Sequence, residues 1–358
     1  MKPVLTINLS SIAANYNLLR QTAPRSTVAA VVKADAYGLG AKHIALHLKK
    51  NGCEHFFVAS LDEAIELRNI LGDKSHIYVL YGPAKNQLAE FKNYHIIPVL
   101  NTQWQIKLWK EWYQNEKISQ PAIIHLDTGM NRLGVTSREI ESVRPYLVFP
   151  ISHFISHLSS ADQISGLTSR KQLQVLQNML FLLERTNTPI SIAASSGIFL
   201  GSSYHFNMVR PGIALWGGNP TLDRKNPMEQ VVTVQAPIIQ IKQVYRGDKI
   251  GYDGTYILRN KGRIATIAIG YADGVMRTLS NCGYVEYNGF TLPIVGRVSM
   301  DLITIDISRL GDEIINPMDY VELVGLYQSI DKMAKRAGTI SYEILTSLGN
   351  RYQRMYIS

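Results

Sequence analysis

The chain has 358 residues, 46% hydrophobic and 18% charged, which is enough apolar material for a large core shared between two domains. It contains no uninterrupted apolar run of about 18 residues, and Met1-Lys2-Pro3-Val4-Leu5-Thr6 has no signal-like apolar segment, so no membrane span is expected and the cytoplasm is the expected location. The formal charge of +9 comes from scattered lysines and arginines whose longest clusters are pairs such as Lys49-Lys50, which argues against nucleic acid and suits a site for small anions.

In chain order, short β-branched or aromatic runs alternate with stretches of helical apolar spacing. Ile12, Tyr16 and Leu19 repeat on one helical face before Pro24, and Leu173, Leu176, Leu180 and Leu183 do the same before Pro189. Candidate strands are Val28 to Val32, Phe56 to Ala59, Ile77 to Leu80, Ile96 to Leu100, Ala122 to Leu126, Ile151 to Ile155, Ile190 to Ala194 and Phe206 to Val209. These βα units predict a TIM-like (β/α)8 barrel over residues 1–225, although an open doubly wound sheet meets the same strand count. After Pro220 the pattern changes. Gln230 to Val244 and Arg263 to Gly270 are rich in Val, Ile and Thr, which predicts a mainly-β C-terminal domain over 226–358, with Asn219 to Pro227 as the linker. Cys53 and Cys282 fit no metal or redox spacing and read as reduced packing residues. His43 and His47 are spaced i, i+4 without the glutamate of a zincin helix, so no metal is expected.

A parallel barrel gathers the residues that follow its strands onto one face. Lys33, Arg132, His157, Ser196 and Arg210 all follow candidate strands. Each has an ordinary alternative. Lys33 ends the apolar run Ala30-Val31-Val32 and precedes the Gly-containing loop Ala34 to Gly40, where a lysine is either a solvated surface residue or a partly desolvated, nucleophilic amine. Arg132 has Asp127 as an ion-pair candidate, and His157 fits a core histidine. Ser195-Ser196-Gly197 and Gly212-Ile213 offer small side chains and free amides for a phosphate.

Taken in order, these segments resemble the motifs of PLP-dependent alanine racemases over nearly the whole chain. The resemblance implies that Lys33 carries pyridoxal 5'-phosphate (PLP) covalently. Tyr37, Ser196, Gly212 and Ile213 would hold its phosphate, joined by Tyr356 from the closing segment Arg351 to Tyr356. Arg210 would face the pyridine nitrogen and, being permanently charged, weaken the ring as an electron sink. His157 would orient Arg210, while Arg132 would approach the cofactor phenolate or the substrate carboxylate.

Racemisation needs a proton acceptor on each face of the α-carbon. The resemblance assigns one face to Lys33 and the other to Tyr256 in Tyr252-Asp253-Gly254-Thr255-Tyr256. Ile269 to Gly274 and Val295 to Asp301 match two further motifs of the family, from which Tyr271, Met300 and Asp301 would bind the substrate. Tyr256, Tyr271, Met300 and Asp301 would come from the partner subunit, which implies a homodimer with shared sites. The implied activity is interconversion of L- and D-alanine, supplying D-alanine for peptidoglycan. A racemase for another amino acid, a noncatalytic PLP carrier and a noncatalytic interaction protein are the alternatives. One departure stands out. His125 occupies the position at which many members of the family have a carbamylated lysine that positions the equivalent of Arg132.

Overall fold

The computed structural model describes residues 2–117, 119–163, 166–221, 224–311 and 315–358. Strand β1 (Val4–Asn8) buries Leu5 and Ile7 on one side, as its alternation of apolar and polar residues requires. Asn8 then caps the helix Leu9–Thr22, its side-chain oxygen accepting from the Ser11 N–H at 2.9 Å. Ile12, Tyr16 and Leu19 turn inward from that helix.

The barrel strands are β2 (Thr27–Val28), β3 (Ala30–Val31), β4 (His55–Val58), β5 (His76–Val79), β6 (Ile97–Leu100), β7 (Ala122–His125), β8 (Ile151–Ile155), β9 (Ile190–Ser191) and β10 (Met208–Val209). From β3 to β9 they form one parallel sheet in chain order. Closure comes from the first expected strand: β2 pairs with β10 and β3 with β4, and the Val31 N–H still bonds Pro211 O at 2.9 Å on the β10 side. Across the last seam the Arg210 N–H donates to Ala193 O at 2.9 Å. Phe57, Tyr78, Val99, Ile123, Ile155 and Met208 fill the barrel, and the alternate residues Phe56, Ile77 and Phe154 face the helices. At the N-terminal end His55 stacks on His76 with ring centroids 4.6 Å apart, and its Nδ1 lies 2.8 Å from the Tyr78 hydroxyl.

The second unit contains β11 (Val232–Val244), β12 (Lys249–Ile250), β13 (Tyr256–Ile257), β14 (Gly262–Ile267), β15 (Tyr284–Tyr287), β16 (Phe290–Pro293), β17 (Ile303–Asp306), β18 (Tyr320–Val324) and β19 (Gln353–Ile357). Its main sheet runs β16–β15–β18–β11–β1–β19, and β14 joins the far half of β11 to β17. The first strand of the chain therefore lies in the sheet of the second unit, outside the barrel to which an N-terminal boundary of 1–225 assigns it. Two helices, Ile330–Ala337 and Ser341–Thr346, fold back toward the barrel, and the second packs against the segment after Lys33.

The expected linker includes Leu222 and Asp223, which lie outside the described residues. Its start is fixed rather than loose, since the Asn219 N–H donates to the Asp331 carboxylate at 3.2 Å. Cys53 is buried as expected, but Cys282 is exposed, and both are free thiols. Among the described residues there is no helix long and apolar enough to cross a membrane and no group of side chains that could hold a metal ion.

Candidate active site

A cavity of about 510 Å³ opens at the C-terminal end of the barrel, where Lys33, Tyr37, Arg132, His157, Arg210 and Gly212 converge from four separate loops or strand ends. Lys33 begins a short turn whose next four residues, Ala34, Asp35, Ala36 and Tyr37, all have left-handed backbone angles with φ between 52° and 58°. That conformation costs L-residues about 1–2 kcal/mol each. It curls the chain so that Tyr37 is buried against Trp216, with ring centroids 5.9 Å apart. Burial, followed by the nearby Arg132 charge, pushes the Lys33 amine below its ordinary pKa, while Glu63 opposes the shift.

Arg210 is fully enclosed, and burial pulls its pKa down to about 10, which leaves it cationic at neutral pH. Its Nη1 donates to Ser191 Oγ at 2.5 Å and its Nη2 to Ser156 O at 2.6 Å. Those two serine contacts, rather than a bond from His157, hold the guanidinium. Burial and then the Arg210 charge keep His157 neutral, lowering its pKa to about 3. Arg132 is exposed, and the ion pair open to it from sequence does not form. Asp127 Oδ1 instead accepts from the N–H groups of Gly129, Met130 and Asn131 at 2.9, 2.9 and 3.1 Å.

His125 Nδ1 lies 2.8 Å from Asn101 Oδ1. Because Asn101 Nδ2 already donates to Leu80 O and Val99 O at 2.9 and 3.2 Å, its oxygen is the acceptor and the imidazole carries its proton on Nδ1. Burial and the Arg210 charge bring the His125 pKa down to about 4, so a neutral ring rather than an anion stands there.

Of two adjacent serines, it is Ser195 that faces this cavity. Its Oγ accepts from Gly212 N–H at 3.0 Å and from Ala214 N–H at 3.2 Å, leaving its own proton free to donate. Ser196 lines an adjoining chamber of about 800 Å³ together with Lys332 and Lys335.

The model of the alanine racemase N-terminal domain matches residues 7–220, and that of the alanine racemase C-terminal domain matches residues 231–356. This chain belongs to the alanine racemase family. Among its relatives, the alanine racemase of Rickettsia canadensis (strain McKiel) is 43% identical over 98% of both chains. The catabolic alanine racemase of Agrobacterium fabrum is also 43% identical, over 99% of this chain and 92% of its own. The crystal structure of the Bartonella henselae alanine racemase, with covalently bound pyridoxal phosphate, superposes with a TM-score of 0.96 at 40% identity over all of both chains.

The remaining residues expected from the racemase motifs sit apart from the Lys33 cavity of the same chain. Tyr256 packs on a small apolar cluster that includes Val244 and Val295. Tyr271 and Met300 are exposed neighbours, with the Tyr271 N–H donating to Ser299 O and the Ala272 N–H to Met300 O, both at 3.0 Å. Asp301 is engaged by Arg351 Nη1 at 2.6 Å, and the same guanidinium holds the buried Asp273. Tyr356 hydrogen-bonds Leu39 O at 3.0 Å and stacks on His43, so it braces the loop after Lys33 and does not line the cavity. Tyr342, which the sequence reading passed over, does line it, with its ring 5.9 Å from that of Tyr37. Burial pushes the Tyr342 hydroxyl up to about 12.

Proposed function

We propose that the chain is an alanine racemase that interconverts L- and D-alanine with PLP held covalently by Lys33, and that the D-alanine feeds peptidoglycan precursors. The reading rests on one observation: a single cavity gathers a half-buried lysine of lowered pKa, a fully buried arginine and the donor hydroxyl of Ser195 beside Gly212. The donor set fits PLP. Tyr37 and Ser195 offer hydroxyls for a phosphate, and Gly212 stands so close to the Tyr37 hydroxyl that a Cβ there would collide with it. When bound, PLP supplies the electron sink that acidifies the α-proton of the amino acid.

The chain's own residues do the rest. A lysine whose pKa burial has lowered keeps more neutral amine near neutral pH, so Lys33 Nζ takes the α-proton on one face and returns it in the reverse reaction. Arg210, cationic and pinned by Ser191 and Ser156, disfavours protonation of the ring nitrogen and so confines reactivity to proton movement. The other face needs its own acceptor. Tyr256, supplied by a second copy of the chain, fills that role, with Tyr271, Met300 and Asp301 of that copy closing over the substrate carboxylate beside Arg132. The working unit is then a homodimer in the cytoplasm.

Chiral analysis of L-alanine after incubation with the purified, PLP-loaded protein tests the reaction, and D-alanine should accumulate toward an equal mixture. Lys33→Ala should abolish both turnover and the covalent cofactor. Bound PLP without D-alanine would shift the assignment to another amino acid or to a carrier.

A further inference from the structure

Ala34, the first left-handed residue after Lys33, has a backbone N–H that points away from its own turn. Within the turn, Ala36 N–H bonds Val32 O at 2.8 Å, and Gly40 N–H bonds Asp35 O at 2.9 Å. The partner of Ala34 N–H is Glu63 Oε1 at 2.7 Å, 29 residues further along the chain. The other oxygen of the same carboxylate accepts from Ala59 N–H at 2.7 Å, at the end of strand β4.

Glu63 belongs to the capping box of helix Leu61–Leu71, in which its carboxylate is expected to bond the backbone of Ser60. That bond is long, 3.4 Å, so the two short ones go to the turn and the strand. A carboxylate placed at a helix N-terminus is favoured there by the helix dipole, and bonds from amides to a charged acceptor are the stronger kind.

We infer that Glu63 is a positioning residue for Lys33, its carboxylate clamping the left-handed turn that follows the lysine onto the end of the neighbouring strand and thereby setting where the amine stands in the cavity. The two β strands that lead into Lys33 and Ala59 are already paired, Val31 opposite Phe57, so the clamp extends their alignment beyond the last ladder bond. It also keeps a negative charge near an amine that otherwise faces Arg132, consistent with the opposed influences of Glu63 and Arg132 on that amine. The inference rests on the reading of Lys33 as the reactive amine, and it is testable apart from catalysis.

The test measures the pH midpoint of Lys33 acylation in the full-length protein stripped of cofactor, by peptide mass spectrometry, in wild type, Glu63→Gln and Ser60→Ala. Glutamine keeps the size of the side chain but removes the charge and one acceptor. Ser60→Ala weakens the same helix start, where Ser60 Oγ accepts the Glu63 N–H, without touching the turn. Expected are a lower midpoint in Glu63→Gln, with about three-fold more reactive amine at fixed pH for each half-unit shift, and an unshifted midpoint in Ser60→Ala despite a lower Tm. Equal midpoints in wild type and Glu63→Gln, or an equal shift in Ser60→Ala, would overturn the assignment. A wild-type chain whose Lys33 takes up no PLP but whose midpoint still follows Glu63 would uphold the clamp and sink only the racemase reading.

Discussion

At the scale of single residues, the cavity shows how much a side chain's role depends on one step of register. Ser195 and Ser196 are chemically equal in the sequence, and the phosphate role fell to Ser196 from motif order alone. The break from extended Ala194 into the short helix Ser195–Ile198 is what turns Ser195 toward Gly212. Ser195→Ala should remove the free hydroxyl donor that faces the phosphate, costing about 1–3 kcal/mol in a buried site, which a PLP titration would read as roughly 5- to 150-fold weaker binding. Ser196 lines the adjoining chamber that Ser195 also borders, and weaker binding by Ser196→Ala in the same titration would give it a share of the phosphate. Lys33, Arg210 and Gly212 were legible because each follows a strand that periodicity already fixed. Tyr342 was not, since it arrives from a short helix near the C-terminus that no barrel strand announces. Tyr356 was reached through a motif rather than a strand, and its contacts in the structure are with Leu39 O and His43.

At the scale of elements, the β-branched runs located every barrel strand, because strands buried on both faces need little polar patterning. What those runs could not reveal is which neighbours close the barrel: the Ala29 and Val31 N–H groups bond Val209 O and Pro211 O on one side, while Val32 N–H bonds Phe57 O on the other. Nor does composition signal the turn after Lys33, since Ala34, Asp35 and Ala36 are not residues that favour left-handed angles as glycine does. If that strain is stored, Ala34→Gly should raise stability in urea denaturation by about 0.5–1 kcal/mol. A loss of stability would mean that the turn is unstrained and that glycine only loosens the unfolded chain. β1 escaped notice as a member of the second sheet because alternation in Val4 to Asn8 says that one face is buried and nothing about which sheet buries it.

For the molecule as a whole, five histidines have lowered pKa values: His47, His55, His125, His153 and His157, of which His55, His125 and His153 lie at about 4 and His157 at about 3, burial being the largest cause in each. Each is depressed below the ordinary 6.5 of the unfolded chain, so below about pH 6.5 the unfolded state binds more protons than the folded one. Stability should therefore be level from about pH 8 to 7 and fall steadily from about 6.5 to 4, measurable as a declining urea midpoint. His55→Asn should flatten part of that slope; a midpoint flat to pH 5 would contradict the burial of these rings. The proposed sharing of sites between two copies makes a sharper prediction for assembly. Lys33→Ala and Tyr256→Phe homodimers should each be inactive, yet unfolding and refolding them together should recover about a quarter of the sites, because half the dimers are mixed and each mixed dimer has one intact site. No recovery would mean that each chain completes its own site. The pairing of β1 with both β11 and β19 carries a consequence for synthesis. A ribosome releases the barrel complete but the second sheet open along one edge, and the opening strand of the chain must wait for the five residues of β19 before it has neighbours on both sides. Until then its exposed backbone is a slot any extended segment could enter, and once β19 fills it β19 becomes the outer strand of that sheet.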